Sequence, residues 1–199
     1  MKVLDQLLDY WQLENTVIIG HDFGGSTVLR THLLNGRDFQ KIVLIDPVAV
    51  SPWGSAFFKH VTAHEGAFAG VPDYIHDAIV RAYIKTAAFR HLDDATLEMI
   101  VLPWKGADGK AAFYRQIAQA SSVYTDEVQS LYAQISVPVL ILWGSEDTWI
   151  PLERGEVLHE MISGSLLHVV PDAGHLVIEE QPDQLLETIR HFLWSKESL

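Results

Sequence analysis

A strand-to-helix turn at residues 17–25, which read V-I-I-G-H-D-F-G-G, constrains what this chain can fold into more than any other stretch. An apolar run stops at Gly20, one acidic side chain follows, and two more glycines close the turn. The pattern small-x-nucleophile-x-small is typical of a strand that bends sharply into a helix and exposes its central side chain. We expect Gly20 and Gly24 to permit the bend because they carry no Cβ, and Gly25 to let the helix approach the strand. Serine is common at the centre of this motif, but the residue here is Asp22.

Composition excludes several classes of protein. A length of 199 residues suits one domain, and an apolar fraction of 48% is enough for a sizeable core. The net charge of −12 argues against nucleic acid or an anionic membrane surface as a partner. The chain has no cysteine, which fits a reducing compartment, and we see neither a signal peptide nor an apolar stretch long enough to span a bilayer. We therefore expect a cytoplasmic protein without a membrane partner.

Hydrophobic patterning predicts strands that alternate with helices. Apolar or β-branched runs predict strands at residues 16–19, 41–45, 137–143 and 166–170. The first of these shows no alternation, which predicts burial on both faces of a parallel sheet. Apolar residues at helical spacing predict helices at residues 2–14 and 26–34, one after Pro151 and one from Pro182. The fold class predicted is therefore α/β, with a mainly parallel sheet of about four strands and flanking helices.

The middle of the chain breaks this alternation. Residues 48–130 are rich in aromatic side chains and histidine, and they contain helical patterns near 73–88, 93–101 and 110–120 without a convincing strand. The simplest interpretation is a helical cap over the ends of the strands, where ligands bind in open α/β sheets. We expect residues 1–47 and 131–199 to form the core and residues 48–130 to form the cap.

Two further stretches complete a recognisable set. Residues 143–151 read W-G-S-E-D-T-W-I-P, and residues 171–175 read P-D-A-G-H. With the turn at 17–25 they follow the order nucleophile, acid, histidine. The chain resembles the α/β-hydrolase family, in the branch with an aspartate nucleophile that includes epoxide hydrolases and haloalkane dehalogenases. The resemblance extends over the whole chain and implies a partial α/β-hydrolase fold with a helical cap.

The resemblance implies a catalytic triad of Asp22, His175 and Asp147. A carboxylate is already ionised at neutral pH and can attack a tetrahedral carbon directly, which leaves an alkyl ester on Asp22. His175 would then activate the water that cleaves this ester, and Asp147 would hold the imidazole in the correct tautomer. The backbone N–H of Phe23 would be one oxyanion donor.

Each assignment has an alternative. Asp22 could be only a turn residue, and His175 only a solvated loop histidine. Glu146 and Asp46 compete with Asp147 as the acid, because both also follow predicted strands.

One feature departs from the family. Family members usually carry four more strands before the strand of the turn, and a loop among them supplies a second oxyanion donor. This chain begins one helix before the turn, so about 80 to 100 residues are absent at roughly 30 residues per strand-helix-strand unit. We therefore interpret the chain as a hydrolase that lacks its N-terminal strands. The edge of the 16–20 strand would be bare, which predicts a possible homodimer through that edge.

The cap should recognise the leaving group. Tyr114, followed by Arg115, resembles the tyrosine of epoxide hydrolase caps and is our candidate donor to an epoxide oxygen, although fluoroacetate dehalogenases carry a similar pair. Other tyrosines compete for this role, namely Tyr74, Tyr83 and Tyr124. Dehalogenases often have tryptophan directly after the nucleophile, where Phe23 has no N–H to donate to a halide.

Other candidate residues complete the prediction. Trp53 and Trp104 are candidates for the pocket wall, and we place His21 beside the substrate, where a packing role is also open. His60 and His64 lie four residues apart on a possible helix, a spacing that can bind zinc, but the zinc motif is incomplete and a solvated or pocket-lining pair is the simpler interpretation.

The sequence thus predicts hydrolysis of a small apolar organic substrate, most simply an epoxide, through an ester on Asp22. The alternative is a haloalkane or haloacid dehalogenase. An alternative of another class is a truncated, non-catalytic fragment, or one half of a complemented assembly. No cofactor or metal is implied.

Overall fold

The computed structural model of the protein describes residues 1–194. It contains four strands, β1 (Thr16–His21), β2 (Phe39–Ile45), β3 (Val139–Gly144) and β4 (Leu166–Val170). Helices before and between the first strands are α1 (Lys2–Tyr10) and α2 (Phe23–Asn35). Between β2 and β3 lie α3 (Ala56–Ala69), α4 (Asp73–Lys85), α5 (Asp94–Val101), α6 (Gly106–Ala118) and α7 (Val123–Gln129), with short 3₁₀ turns at Leu102–Trp104 and Tyr132–Gln134. The chain continues with α8 (Glu153–Met161), α9 (Val177–Glu180) and α10 (Pro182–Trp194).

The four strands form one parallel sheet in the order β1-β2-β3-β4. The predicted α/β fold and parallel sheet are therefore confirmed. All four strands were placed correctly, and their ends differ from the prediction by no more than two residues. The carboxyl ends of parallel strands meet at one edge of a sheet, so the loops that follow β1, β2, β3 and β4 converge there.

Two apolar layers hold the helices on opposite faces of the sheet. Alternate residues of a strand point to opposite faces, and in β2 Leu44 belongs to one layer while Val43 belongs to the other. The first layer receives residues of α1, α2 and α8, such as Leu29 and Leu158. The second receives residues of α10, such as Phe192. Residues of β3 are buried throughout, which explains its continuous apolar sequence.

The prediction that strand β1 is buried on both faces is wrong. Val17 and Ile19 are 36% and 49% exposed, while Ile18 packs against the first apolar layer. Val17 and Ile19 lie on the same, partly exposed face. Among the described strands β1 pairs only with β2, so its other edge is open. The homodimer through this edge stays a prediction.

The cap has a core of its own. Helices α3 to α6 surround an apolar cluster that includes Val61, Val80, Phe113 and Tyr114. Residues 48–130 contain no strand, as expected; α3 contains the possible helix of His60 and His64, and α7 was not predicted. The predicted domain limits stay a prediction. Within residues 1–194, no helix is both long enough and apolar enough to cross a membrane.

Candidate active site

The turn between β1 and α2 presents Asp22 at the carboxyl end of the sheet. Asp22 has φ 52° and ψ −124°, an unfavourable backbone conformation for a residue with a side chain. Two backbone hydrogen bonds stabilise it: the N–H of Asp22 donates to the carbonyl of Ile45 (3.2 Å), and the N–H of Val48 donates to the carbonyl of Asp22 (3.1 Å). The end of β2 therefore holds the turn in place. The Asp22 side chain is 34% exposed, so it remains accessible to a small molecule.

Glycines make this turn possible, but only two of the three expected ones are needed. A Cβ on Gly20 would lie 2.7 Å from the carbonyl oxygen of Gly24, and a Cβ on Gly25 would lie 2.4 Å from the Cβ of Pro47. A Cβ on Gly24 itself would have no neighbour within 4 Å. The expected steric role of Gly24 is therefore wrong, because the helix has already turned its Cα towards open space.

His175 lies opposite Asp22 on the loop after β4. Its backbone N–H donates to the carbonyl of Ala87 (2.8 Å), which joins this loop to the end of α4. The ring Nδ1 lies 2.8 Å from Oδ2 of Asp147, and Nε2 lies 3.8 Å from Oδ1 of Asp22. Nε2 is buried and has no hydrogen-bond partner among residues 1–194. The free nitrogen of the imidazole thus faces the carboxylate at the turn.

Asp147 is held on the loop after β3. Its Oδ1 accepts hydrogen bonds from the backbone N–H groups of Trp149 (2.8 Å) and Ile150 (2.9 Å), while Oδ2 binds His175. Three donors on a carboxylate with no exposed side-chain surface fix its orientation. Of the two predicted rivals, Glu146 is exposed, and Asp46 is fully buried after β2, where its Oδ1 accepts from the N–H of Gly144 (2.9 Å).

The charges in the site shift the pKa values of these groups. Burial alone would lower the pKa of His175, but the hydrogen bond and charge of Asp147 oppose it, helped by the charge of Asp22, and the net effect raises the pKa. Burial also raises the pKa of Asp22, although the two nearby histidines, His175 and His21, act in the opposite direction. His175 is therefore a stronger base than an ordinary imidazole, as a water-activating group requires.

A small cavity of about 50 Å³ opens beside Asp22. Its other lining residues are mostly apolar and come from the turn, the β2 loop, the cap and the β3 loop: Phe23, Val48, Trp53, Gly54, Ser55, Phe58, Tyr83, Trp149 and Ile150. The N–H of Phe23 interacts with the Asp22 carboxylate. It is thus close to the Asp22 carboxylate, and its role as an oxyanion donor stays a prediction.

The other predicted site residues are divided between the cavity and the cap core. Trp53 lines the cavity, and its contact with a substrate stays a prediction. His21 lies beside the site: its ring centroid is 4.9 Å from that of His175, and its Nε2 donates to the carbonyl of His175 (2.9 Å). It positions the histidine loop and is absent from the cavity wall. Trp104 packs in the cap core against Phe113.

Tyr114 does not reach the cavity, which corrects the prediction. Its side chain is fully buried inside the cap, and its hydroxyl lies 3.0 Å from Nδ1 of His76. The adjacent Arg115 is mostly exposed and lies 3.5 Å from Glu65. Tyr114 is directed away from the cavity because it lies on the buried face of α6 together with Phe113 and Ile117, and this face packs in the cap core.

The tyrosine at the cavity is Tyr83, on α4. Its ring stacks on Trp149, with centroids 4.3 Å apart. Burial, helped by the charge of Asp22, raises the pKa of Tyr83 well above its usual value, so its hydroxyl stays protonated. Sequence reasoning named Tyr83 only as a rival and missed Phe58 and Trp149. Only the short distance along the chain between Trp149 and Asp147 could have indicated that Trp149 lies at the cavity.

The spacing of His60 and His64 is not accompanied by further ligands in the described part of the chain. The two rings lie 4.8 Å apart, but residues 1–194 contain no group of three or more metal-binding side chains in suitable positions.

A parallel sheet with helices on both faces, whose strand ends bring a candidate nucleophile, histidine and acid together, is the architecture of α/β-hydrolase-fold enzymes. This chain belongs to that family: the profile described as "Alpha/beta hydrolase family" matches residues 2–188.

Individual relatives support the family and its fold. An α/β-hydrolase fold protein from Burkholderia ambifaria superimposes with a TM-score of 0.91 and 43% identity, over 94% of this chain and 69% of that one. The "Uncharacterized hydrolase YugF" of Bacillus subtilis is 27% identical over 96% of this chain and 70% of its own length. "Esterase YbfF" of Escherichia coli is 26% identical over 94% of this chain and 70% of its own length.

Proposed function

We propose that this chain is an epoxide hydrolase that acts through a covalent ester on Asp22. The observation that carries the proposal is the 3.8 Å separation between Oδ1 of Asp22 and the free Nε2 of His175. A carboxylate needs no base in order to attack. A base is needed only afterwards, beside the ester, and the unpartnered Nε2 occupies that position.

The first step opens the ring. One carboxylate oxygen of Asp22 forms a bond to an epoxide carbon, the carbon–oxygen bond of the ring breaks, and the ring oxygen takes a proton from the hydroxyl of Tyr83. The product is a hydroxyalkyl ester on Asp22.

The second step hydrolyses that ester. Water adds to the carbonyl carbon of Asp22 and gives one proton to Nε2 of His175, while the N–H of Phe23 donates to the oxyanion. The tetrahedral intermediate expels the alkoxide, which takes the proton from His175 and leaves as the diol. The second water proton, left on Asp22, returns through solvent to Tyr83. Asp147 stabilises the positive imidazole between these transfers.

The donors of the cavity favour an epoxide over a haloalkane. A departing halide needs N–H donors, but the indole N–H of Trp53 already donates to Thr125 (2.9 Å), and that of Trp149 donates to Thr86 (2.9 Å). The hydroxyl of Tyr83 makes no hydrogen bond to other residues in the described part of the chain and is available to an epoxide oxygen.

The cavity also disfavours a haloacid. Neither lysine nor arginine is among the lining residues, so a substrate carboxylate would enter a largely apolar space beside Asp22 without a cationic partner. Burial of an unpaired charge is costly. A small, neutral substrate therefore fits best.

The esterase activity named for some relatives is not the activity that we propose. Attack of a carboxylate on an ester carbonyl would form a mixed anhydride, which is less stable than the ester it replaces. Attack at a tetrahedral carbon instead forms an ester that water can cleave. Asp22 in the usual place of serine thus supports alkyl transfer.

A second oxyanion donor is the remaining requirement. The Phe23 N–H is the donor that we assign within residues 1–194, and loss of one such donor costs about 100- to 1,000-fold in rate in known cases. We infer that a further segment or a separate chain supplies the second donor. The alternative of another class is a non-catalytic fragment, for which no substrate would turn over.

Single-turnover hydrolysis of an epoxide in ¹⁸O-water tests the ester mechanism. Enzyme is used in excess, and the peptide that contains Asp22 is then analysed by mass spectrometry. We expect ¹⁸O in the Asp22 carboxylate, because water attacks the carbonyl carbon of the ester. Turnover without label in that peptide would exclude the ester.

Asp22→Asn is the matched control for this experiment, because the amide cannot attack and should give neither diol nor label. Release of halide from a haloalkane, with no diol from an epoxide, would favour the dehalogenase alternative. Absence of both products would support the non-catalytic fragment.

A further inference from the structure

A second buried carboxyl lies behind the His175–Asp147 pair. Asp46 follows β2 and has no exposed surface. Its backbone N–H donates to the carbonyl of Leu142 (3.0 Å), and its Oδ1 accepts from the N–H of Gly144 (2.9 Å). Its Oδ2 is buried and accepts no hydrogen bond from residues 1–194. An unmatched polar atom inside a protein is unusual and needs an explanation.

The position of Asp147 supplies that explanation. The N–H of Asp147 donates to the carbonyl of Gly144 (3.3 Å), so both acids are anchored on the same residue at the end of β3. The Asp147 carboxyl lies close enough to the Asp46 carboxyl for its charge to raise the Asp46 pKa, and the unpartnered Oδ2 of Asp46 is free to form a hydrogen bond to it. Two carboxylates in such contact repel each other when both are ionised, so one of them must hold a proton.

The donors around each acid decide which one is protonated. Asp147 accepts from two backbone N–H groups and from His175, and all three favour its ionised form. Asp46 accepts from one N–H only. Burial raises the pKa of Asp46, and the charge of Asp147 adds to this, while His175 acts in the opposite direction. The proton therefore belongs on Asp46.

We propose that Asp46 is a neutral carboxylic acid whose Oδ2–H donates to the Asp147 carboxylate and thereby positions the His175–Asp147 pair. Its proton gives Asp147 a fourth hydrogen bond and limits the negative charge that His175 experiences. Asp46 is a positioning residue, because it acts only through Asp147. Its effect on turnover rests on the proposed function, whereas its protonation and its effect on His175 do not.

Asparagine provides a discriminating substitution. In Asp46→Asn the amide oxygen can accept from Gly144 and the amide N–H can donate to Asp147, so a neutral donor is replaced by a neutral donor. If Asp46 is neutral, this change leaves the imidazole pKa of His175 nearly unaltered. If Asp46 is ionised, the change removes a negative charge close to His175 and lowers that pKa clearly. The other titratable groups that face His175 are Asp22 and His21 at the end of β1.

The experiment uses the free protein without substrate. NMR titration of His175 in wild type and Asp46→Asn is combined with infrared difference spectra at neutral pH in heavy water. We expect unchanged titration and a protonated-carboxyl C=O band that disappears in Asp46→Asn. A lowered pKa of His175, or absence of that band from the wild type, would overturn the proposal.

Asp46→Ala completes the test where substrate turnover is available. It removes the donor to Asp147, and we expect a loss of kcat of about 10- to 100-fold, the effect of one hydrogen bond to a charged group. We also expect the acidic limb of the pH profile to be displaced. In Asp46→Asn, both the rate and the position of this limb should be close to those of the wild type. Equal losses in Asp46→Asn and Asp46→Ala would contradict a donor role. Should Asp46→Ala not fold, the titration and the infrared band decide the question alone.

Discussion

Tyr83 and Trp149 stack with their ring centroids 4.3 Å apart and their planes inclined by 24°. The first residue belongs to cap helix α4 and the second to the loop that carries Asp147, so the contact joins the cap to the acid of the site. Because both rings also line the cavity beside Asp22, this contact fixes the position of the Tyr83 ring in the cavity wall.

Replacement of this tyrosine should affect the first chemical step. We expect Tyr83→Phe to lower kcat for an epoxide by about 10- to 1,000-fold, because the ring oxygen loses its proton donor while the stacking on Trp149 remains. Steady-state kinetics with an epoxide measures the loss. Tyr114→Phe is the matched control, since its hydroxyl binds His76 inside the cap. It should cost about 1 kcal/mol of stability and little activity. A larger loss of activity in Tyr114→Phe than in Tyr83→Phe would refute our placement of the donor.

Two glycines of the turn should respond differently to the same substitution. Gly20→Ala places a methyl group 2.7 Å from backbone atoms of Gly24, which should destabilise the protein by about 1–3 kcal/mol or more. Gly24→Ala meets no atom within 4 Å and lies in α2, so it should be neutral or stabilise by up to about 1 kcal/mol. Urea denaturation of the two variants measures both values, and similar losses in both would contradict the geometry of the turn.

The pH dependence of turnover should follow the basicity of His175. The base must be neutral to accept a proton from water in the second step, so the rate of ester hydrolysis, measured as kcat, should rise with pH through the pKa of His175, which is raised above the ordinary 6.5. Asp147→Asn removes the charge and the hydrogen bond that oppose the effect of burial on the pKa of His175. The rise of the rate with pH should therefore occur at lower pH in this variant. If the rise occurs at the same pH in Asp147→Asn and in the wild type, a group other than His175 controls it.

The raised pKa of His175 also makes the free energy of unfolding depend on pH. Because the folded pKa of His175 is raised, its contribution to stability is fully present below the unfolded pKa and is lost as pH rises through the folded pKa.

Association of the chain should depend on the open edge of β1. We propose that two copies pair there, since free N–H and C=O groups of an apolar edge strand are a template for another strand. Ile19→Lys should weaken the dimer, because it places a charge next to that edge. Light scattering after gel filtration measures the mass. Leu166→Lys, on the edge strand β4, is the control and should have no effect. A monomeric wild type at high concentration would contradict the proposal.

Local sequence was sufficient for much of the architecture and for part of the candidate site. The apolar runs identified all four strands, and the turn at Gly20 placed Asp22 at a strand end, because backbone geometry within nine residues decides both. The histidine and acid loops were predicted from the resemblance to the α/β-hydrolase family, in which nucleophile, acid and histidine follow in this order along the chain. Helix α7 was missed because it is short and exposes much of its surface, including Val123 and Tyr124.

What the sequence determined by itself was therefore local: the alternation of strands and helices, and a carboxylate in the place where a hydroxyl is common. Tertiary structure decided which acid holds His175, which tyrosine faces Asp22, and that β1 is half exposed. Asp46 and Asp147 both follow a strand, and Tyr83 and Tyr114 both lie on cap helices, so their local patterns are alike. Only the packing of one element on another determines that Asp147 binds His175 while Asp46 is buried behind it. The same packing determines that Tyr83 lines the cavity while Tyr114 is buried in the cap.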